Sequence, residues 1–200
     1  MTATVPTGNT YDKYGSTNFV VRRLMARFER DVGAMLRTAQ PASIVDVGCG
    51  EGVLTEQWAR NVPGRVVGVD LEDPKLRAEW DRHVRPNLEF SAGFAEDLPY
   101  ADDEFDAATA MEVLEHVEDP GAVLAEMTRV ASQWLIVSVP REPLWRALNL
   151  ARGAYVRHLG NTPGHLNHWS KRGLKRLLSQ YGEVVELRSP TPWTMALVRV

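Results

Sequence analysis

Short apolar segments alternate with amphipathic ones along most of the 200-residue chain, and this alternation limits its fold more than any other feature. The apolar runs predict buried strands, and apolar residues at three- and four-residue spacing between them predict helices. Alternating strands and helices form a parallel sheet that is covered on both faces. The predicted strands are 43–47, 65–69, 87–91, 105–111, 134–139, 183–189 and 193–200, and the predicted helices are 17–38, 51–60, 74–82, 121–130, 143–159 and 170–181, with Asp119 and Pro120 as the start of the fourth helix.

Length and composition favour one globular domain. The chain is 44% hydrophobic and 24% charged, and 200 residues can bury a core but are too few for separate cofactor and substrate domains. No apolar run approaches the roughly 20 residues that cross a bilayer, and residues 1–9 are polar, so we expect neither a membrane span nor an export signal. The single cysteine, Cys49, fits a reducing compartment, and we expect a cytoplasmic protein.

Three glycines separate the first predicted strand from the helix that follows it: Gly48, Gly50 and Gly52. A strand, a glycine turn and a helix N-terminus form a pocket in which the backbone can approach a ligand closely. A dinucleotide fingerprint requires Gly or Ala where Val53 stands, which disfavours a nicotinamide cofactor. Asp70 ends the next strand, where a carboxylate can accept hydrogen bonds from ribose hydroxyls.

Five motifs follow one another at ordinary spacing. They are Asp46-Val-Gly-Cys-Gly-Glu-Gly52, Asp70, Ala95-Glu-Asp-Leu-Pro99, Phe105-Asp106 and Glu112-Val-Leu-Glu-His-Val117. Over about residues 40–140 they resemble class I S-adenosylmethionine-dependent methyltransferases, in particular those of ubiquinone and menaquinone biosynthesis. The resemblance implies an α/β fold, a Rossmann-like seven-stranded mostly parallel sheet with an antiparallel C-terminal strand. It also implies that a methyl group is transferred to a small molecule, at an oxygen atom of an apolar or anionic metabolite.

The same resemblance implies a cofactor site. The glycine turn would contact the methionine part of the cofactor. Asp70 would bind its ribose, and the backbone near Phe94 would bind its adenine. Many relatives have Asp where this chain has Phe94, whose ring would instead offer an aromatic face or pack. Residues 11–14 resemble a lid over the cofactor, although a chain terminus is often frayed. The implied cofactor-binding set is Tyr14, Asp46, Gly48, Cys49, Gly50, Gly52, Asp70, Leu71, Phe94, Ala95, Glu96, Met111 and Glu112.

Two histidines are the candidate catalytic residues, His116 and His165. Methyl transfer is an in-line displacement, so the protein has to position the acceptor atom and help its proton leave. His116 follows the fourth strand beside the expected cofactor, and an imidazole with an ordinary pKa of about 6.5 suits proton transfer. The alternative is a histidine that only caps or packs a turn.

A metal site is a second interpretation of the same segment. If residues 112–116 form a helical turn, Glu112, Glu115 and His116 share one face and can hold a divalent cation. With His165 as a fourth ligand, the pattern resembles the metal sites of small-RNA 2′-O-methyltransferases and ubiquinone-type O-methyltransferases. That resemblance implies Mg²⁺ or Mn²⁺, which would hold vicinal hydroxyls. The same string also occurs in metal-independent methyltransferases, where it would form only a polar rim.

Residues 141–169 are the predicted substrate wall. Between Arg141 and Arg176 stand eight Lys or Arg and one acid, which predicts either an anion-binding face or ordinary solvated surface. An apolar stripe at helical spacing would either pack in the core or receive an apolar acceptor. The stripe consists of Leu144, Leu148, Ala151, Tyr155 and Leu159.

Other functions stay open. A metal-assisted RNA 2′-O-methyltransferase fits the basic stretch, but the net charge of −3 and the absence of an RNA-binding module disfavour nucleic acid as a partner. A non-catalytic accessory protein that binds S-adenosylmethionine is the other alternative. The sequence leaves the oligomeric state undecided. The expected parts of the single domain are a lid and helix in 1–40, a cofactor-binding core in 41–140, the substrate wall in 141–169, and a C-terminal helix and strands in 170–200.

Overall fold

The computed structural model describes residues 17–200, so the expected lid and Tyr14 lie outside the described residues. The strands are β1 (Ile44–Val47), β2 (Val66–Asp70), β3 (Leu88–Ala92), β4 (Phe105–Met111), β5 (Ala131–Pro140), β6 (Glu183–Arg188) and β7 (Trp193–Arg199). The helices are α1 (Phe19–Ala39), α2 (Val53–Ala59), α3 (Pro74–Trp80), α4 (Pro120–Val130), α5 (Leu144–Ala151) and α6 (Lys171–Leu178). No helix in residues 17–200 is long and apolar enough to cross a membrane.

The seven strands form one sheet in the order β3-β2-β1-β4-β5-β7-β6. The first five strands run parallel, and β7 runs antiparallel to both β5 and β6. The predicted fold class is confirmed. The direction in which the sheet grows reverses at β1, which has β2 on one side and β4 on the other, and ligands bind at such a reversal beside the carboxyl ends of the strands.

Both faces of the sheet are covered. On one face α4 and α6 pack through Leu124, Met127 and Leu174, and on the other α1 and α2 pack through Phe28 and Trp58. Strands buried on both faces have no solvent side, which explains why the central strands are continuous apolar runs in the sequence.

One predicted helix is wrong. The segment 143–159 is helical only to Ala151, because the chain then enters the left-handed region at Gly153 and again at Tyr155. A glycine with positive φ commonly ends a helix. A single 3₁₀ turn, Val156–His158, follows. The other predicted bounds differ from the observed ones by at most three residues, and α2 begins only at Val53 because the turn before it is left-handed.

Asp119 caps α4 as the sequence predicts, since one of its carboxylate oxygens accepts from the backbone N–H of Gly121 at 2.8 Å and of Ala122 at 3.2 Å. We expect Asp119→Ala to lower the free energy of unfolding by about 1 kcal/mol, measured by urea denaturation, because two backbone donors lose their partner. The exposed neighbour Glu118 provides the control, and Glu118→Ala is expected to change stability by less than about 0.5 kcal/mol. Equal losses in both variants would contradict a capping role.

Candidate active site

The turn between β1 and α2 is built from three glycines with left-handed backbone conformations. Gly48, Gly50 and Gly52 have φ of 71°, 55° and 78°. A Cβ on Gly48 would collide with Val113, and a Cβ on Gly52 would lie 2.5 Å from the Phe90 ring. A Cβ on Gly50 would meet nothing within 4 Å. The turn is therefore packed at both ends and open in the middle, where its backbone can meet a ligand.

Asp70 lies across from the open part of this turn. Its Oδ2 accepts the Gly50 N–H at 2.7 Å, and its Oδ1 accepts the Leu71 N–H at 2.7 Å. Burial raises the pKa of this carboxyl group, and the two N–H donors oppose the rise. The carboxylate is thus oriented by backbone on both oxygens, and each oxygen keeps a lone pair that can accept from a ligand hydroxyl.

The predicted adenine-side residues border Asp70. The Gly93 N–H donates to the Asp70 carbonyl at 2.9 Å, which holds the segment after β3 against the end of β2. The Phe94 ring is 66% exposed and is not core packing. Cys49 is part of the turn, between Gly48 and Gly50. Burial, together with the Asp46 and Asp70 carboxylates, raises the pKa of its thiol, so the thiol stays neutral.

Glu112 does not join the predicted metal ligands. It follows β4 with φ of 62°, and no helical turn covers residues 112–116. Its Oε2 accepts the Trp193 indole N–H at 2.6 Å, and its Oε1 accepts the Ser138 hydroxyl at 3.1 Å. Within residues 17–200 Glu112 lies outside the group of converging ligand atoms, because its carboxylate is directed toward β5 and β7.

The structure does bring Glu115, His116 and His165 together. One ligand atom from each lies within 4.8 Å of the others. The two imidazole rings meet edge to face with centroids 4.9 Å apart, and His116 Nδ1 lies 3.0 Å from the Gly164 carbonyl. Glu115 and His165 are 1% and 8% exposed, whereas His116 is partly exposed. The buried Glu115 carboxylate and His165 imidazole thus lie behind the His116 imidazole, which a ligand can reach.

Asn167 explains how residues 50 positions apart meet. Its side-chain amide donates to the carbonyls of Leu114 at 3.2 Å and Val117 at 2.7 Å. The Glu115 carbonyl accepts the N–H groups of Leu166 and Asn167. This docking fixes His165 beside His116. Sequence spacing gave no sign of Asn167, since an asparagine in a loop is ordinarily a turn residue.

Two tryptophans adjoin this cluster: Trp145, which belongs to the predicted substrate wall, and Trp193, which the sequence analysis placed only in a strand. Trp145 stacks on His165 at 5.9 Å between centroids and contacts Trp193 at 6.4 Å. Trp193 in turn meets Phe28 of α1 edge to face at 5.0 Å. The cluster therefore has an aromatic wall that connects α5, β7 and α1.

Comparison with known proteins decides the family. Residues 45–133 match the family model described as a methyltransferase domain. The ubiquinone biosynthesis O-methyltransferase of Dinoroseobacter shibae is 30% identical over 177 residues, which are 82% of this chain and 68% of that relative. The chain belongs to the class I S-adenosylmethionine-dependent methyltransferases.

Two further comparisons give the extent of the likeness. Magnesium protoporphyrin IX methyltransferase from Synechocystis, solved with SAH bound, has a TM-score of 0.66 to this chain at 18% identity, over 92% of this chain and 89% of that one. O-methyltransferase cnsE of Penicillium expansum is 35% identical over 108 residues, 52% of this chain. The chain spans 39%, 32% and 58% of the lengths of three curated relatives, about a third to three fifths.

The predicted substrate wall, residues 141–169, presents many of its side chains to solvent. In α5 only Asn149 is buried, where its side-chain amide donates to the Gly160 carbonyl at 2.8 Å. Leu148 and Leu159 of the apolar stripe are 41% and 74% exposed, so the core interpretation of the stripe is wrong. Among the basic residues, Arg152 donates to Asn149 and keeps an exposed position. Apolar and cationic groups are thus presented to solvent side by side.

Asp46 lies beneath the glycine turn, with its side chain in the core. Its two oxygens accept the hydroxyls of Thr55 at 2.6 Å and Thr109 at 2.7 Å, which links β1 to α2 and β4. Burial raises the pKa of this carboxyl group to about 7, although both hydroxyls oppose the rise. The Asp46 side chain therefore supports the turn from inside the protein.

This pKa predicts a pH dependence of stability. An Asp in the unfolded chain has a pKa of about 3.9. Between about pH 4 and pH 7 the folded state therefore keeps a proton that the unfolded state has released. The stabilisation is complete below about pH 4 and is lost as pH rises through 7, by on the order of 1 kcal/mol per pH unit. We expect the stability of wild type relative to Asp46→Asn to fall between pH 5 and 7 in urea titrations. Parallel profiles for the two proteins would contradict a neutral buried Asp46, and the exposed Asp81→Asn is the control.

Proposed function

We propose that this chain binds S-adenosylmethionine at the turn between β1 and α2 and transfers its methyl group to an oxygen atom of a small molecule. The observation that carries the proposal is one shared edge of the sheet. The open Gly50 backbone, the oriented Asp70 carboxylate and the cluster around His116 all follow the carboxyl ends of adjacent strands. Cofactor and acceptor would therefore meet there. The O-methyltransferase names of the relatives support oxygen as the acceptor atom.

The chemistry of the cofactor half of the site suits S-adenosylmethionine. The open middle of the glycine turn leaves room for its methionine part, and the Asp70 oxygens have lone pairs for two ribose hydroxyls. The exposed Phe94 ring offers a face for an adenine. When bound, the cofactor supplies a methyl group already activated on a sulfonium. The chain's own task is to hold both molecules in line and to keep water away.

The acceptor half of the site would bind the substrate by two means. The partly exposed His116 can take the proton of an acceptor hydroxyl, with His165 packed behind it against Trp145. The exposed leucines of the wall offer contact to an apolar body, and Arg152 offers a cation to an anionic group. We therefore propose an acceptor that combines an apolar part with an anionic group and a hydroxyl.

Binding of S-adenosylhomocysteine tests the cofactor half without any acceptor. We expect wild type to bind it in calorimetry and Asp70→Asn to bind it at least about 10-fold more weakly, since one oxygen that accepts a ribose hydroxyl is replaced by a donor. The matched control is Asp81→Asn at the exposed end of α3, which should bind as wild type does. Equal affinity in all three proteins would place the ribose elsewhere.

Turnover tests the acceptor half. His116→Ala is expected to lower kcat by about 10²-fold or more, the contribution of a positioned acid–base group, with the affinity for S-adenosylhomocysteine unchanged. The acceptor panel should include phenols, isoprenoid and glycolipid hydroxyls, and RNA with a free terminal ribose. Turnover on RNA alone would favour the nucleic-acid alternative. Binding without turnover on any acceptor would favour a non-catalytic accessory protein.

As the alternative to proton transfer by His116, we propose that Glu115, His116 and His165 hold a divalent cation. One carboxylate and two imidazoles within 4.8 Å are a donor set that suits Mn²⁺ or Zn²⁺ better than Mg²⁺, which prefers oxygen ligands. When bound, such an ion would lower the pKa of a hydroxyl that coordinates it. The residues themselves already converge through the docking by Asn167 and need no further movement to meet.

Metal binding is measurable apart from activity. We expect Mn²⁺ to titrate into the metal-free wild type and to bind Glu115→Gln at least about 10-fold more weakly, because the neutral amide is a poorer ligand. Glu118→Gln, three residues away and exposed, is the matched control. Removal of metal with EDTA should reduce turnover, and Mn²⁺ should restore it. Identical Mn²⁺ isotherms for the three proteins would limit the cluster to a role in positioning.

A further inference from the structure

The three glycines of the turn have no side chains that could hold its shape, and the Cys49 thiol makes only a weak contact with the Gly50 carbonyl at 3.7 Å. Gly50, in the middle, makes no side-chain contact by definition, and the space beside its Cα is empty. Glycine also loses more conformational freedom on ordering than other residues, so a turn that must be ordered by its ligand binds that ligand less tightly. Groups outside the turn have to fix it beforehand.

Two such groups come from the last residue of α3 and from the segment that follows it. The Trp80 indole N–H donates to the Gly50 carbonyl at 2.7 Å. The His83 Nε2 lies 3.0 Å from the Glu51 carbonyl and donates to it in the tautomer protonated at that nitrogen. Since the Gly50 N–H donates to Asp70, the peptide groups on both sides of Gly50 are held by side chains of the β2–α3 segment and its helix.

Phe90 fixes the Trp80 ring in turn. The two rings are stacked with centroids 5.4 Å apart and planes 6° apart, and Trp80 is buried. The same Phe90 ring occupies the space where a Cβ on Gly52 would lie. The stacking therefore holds the indole in one position, with its N–H directed at the Gly50 carbonyl.

We propose that Trp80 is a positioning residue whose N–H, assisted by His83, holds the Gly50–Gly52 turn in the shape that receives S-adenosylmethionine, and that it sets the affinity for this cofactor. The inference rests on the proposed cofactor site. Trp80 acts through the Gly50 carbonyl and not through the cofactor. It therefore controls how tightly the cofactor binds, while the reacting atoms are aligned by other residues.

Trp80→Phe tests this role because it keeps an aromatic ring that can stack on Phe90 and removes the N–H, together with the volume of the five-membered part of the indole. We expect the Kd for S-adenosylhomocysteine and the KM for S-adenosylmethionine to rise about 5- to 10-fold, the effect of one lost neutral hydrogen bond, with kcat at saturating cofactor within about twofold of wild type. Trp134→Phe is the matched control. Trp134 is also buried, near the amino-terminal end of β5 under Arg199. Its substitution removes the same ring volume and should leave both constants unchanged.

His83→Ala supplies a second, smaller change if Trp80→Phe lowers the melting temperature substantially. We expect a rise of about threefold in the Kd for S-adenosylhomocysteine, since His83 holds the other carbonyl of the turn. Wild-type affinity in both folded variants would overturn the inference, and so would a fall in kcat without a change in KM. Failure of wild type itself to bind S-adenosylhomocysteine would instead overturn the proposed function.

Discussion

The parallel pairing of β1 with both β2 and β4 is the constraint on which the rest of the structure depends. It brings three chain segments to one edge of the sheet: the glycine turn, the residues after Asp70 and the turn that contains His116. The buried Asp46 carboxyl group strengthens this arrangement, since its bonds to Thr55 and Thr109 connect β1 to the helix after it and to the strand beside it. A disturbance of this small polar contact would therefore reach both halves of the site.

Features that depend on local sequence were predicted well. The seven strands, the helix cap at Asp119 and the position of the glycine turn follow from patterns of a few residues, and the structure confirms them. The end of α5 at Ala151 was missed because the apolar spacing continues to Leu159, while the left-handed residues that interrupt the helix leave that spacing intact. Hydrophobic periodicity reports which residues share a face, and it does not report where the backbone reverses.

Features that depend on contacts between distant residues were predicted only in part. Helical spacing suggested Glu112, Glu115 and His116, and the resemblance added His165. The structure brings the last three together and places Glu112 apart from them, since no helical turn forms. The tryptophans illustrate the limit most clearly. Trp80, Trp145 and Trp193 each donate an indole hydrogen bond to a partner at least 17 positions away, and nothing in their neighbouring residues indicates which partner that is.

The position of the Phe90 ring limits which substitutions its neighbours can accept. It lies 2.5 Å from a hypothetical Cβ on Gly52 and 2.6 Å from one on Gly68, and it also supports the Trp80 ring. Four positions from separate segments thus share one volume. A methyl group added at either glycine requires a smaller side chain at position 90. A smaller side chain there would no longer pack against the Trp80 indole. The effects of substitutions at residues in such contact are not independent, so these four positions would have to change together in evolution.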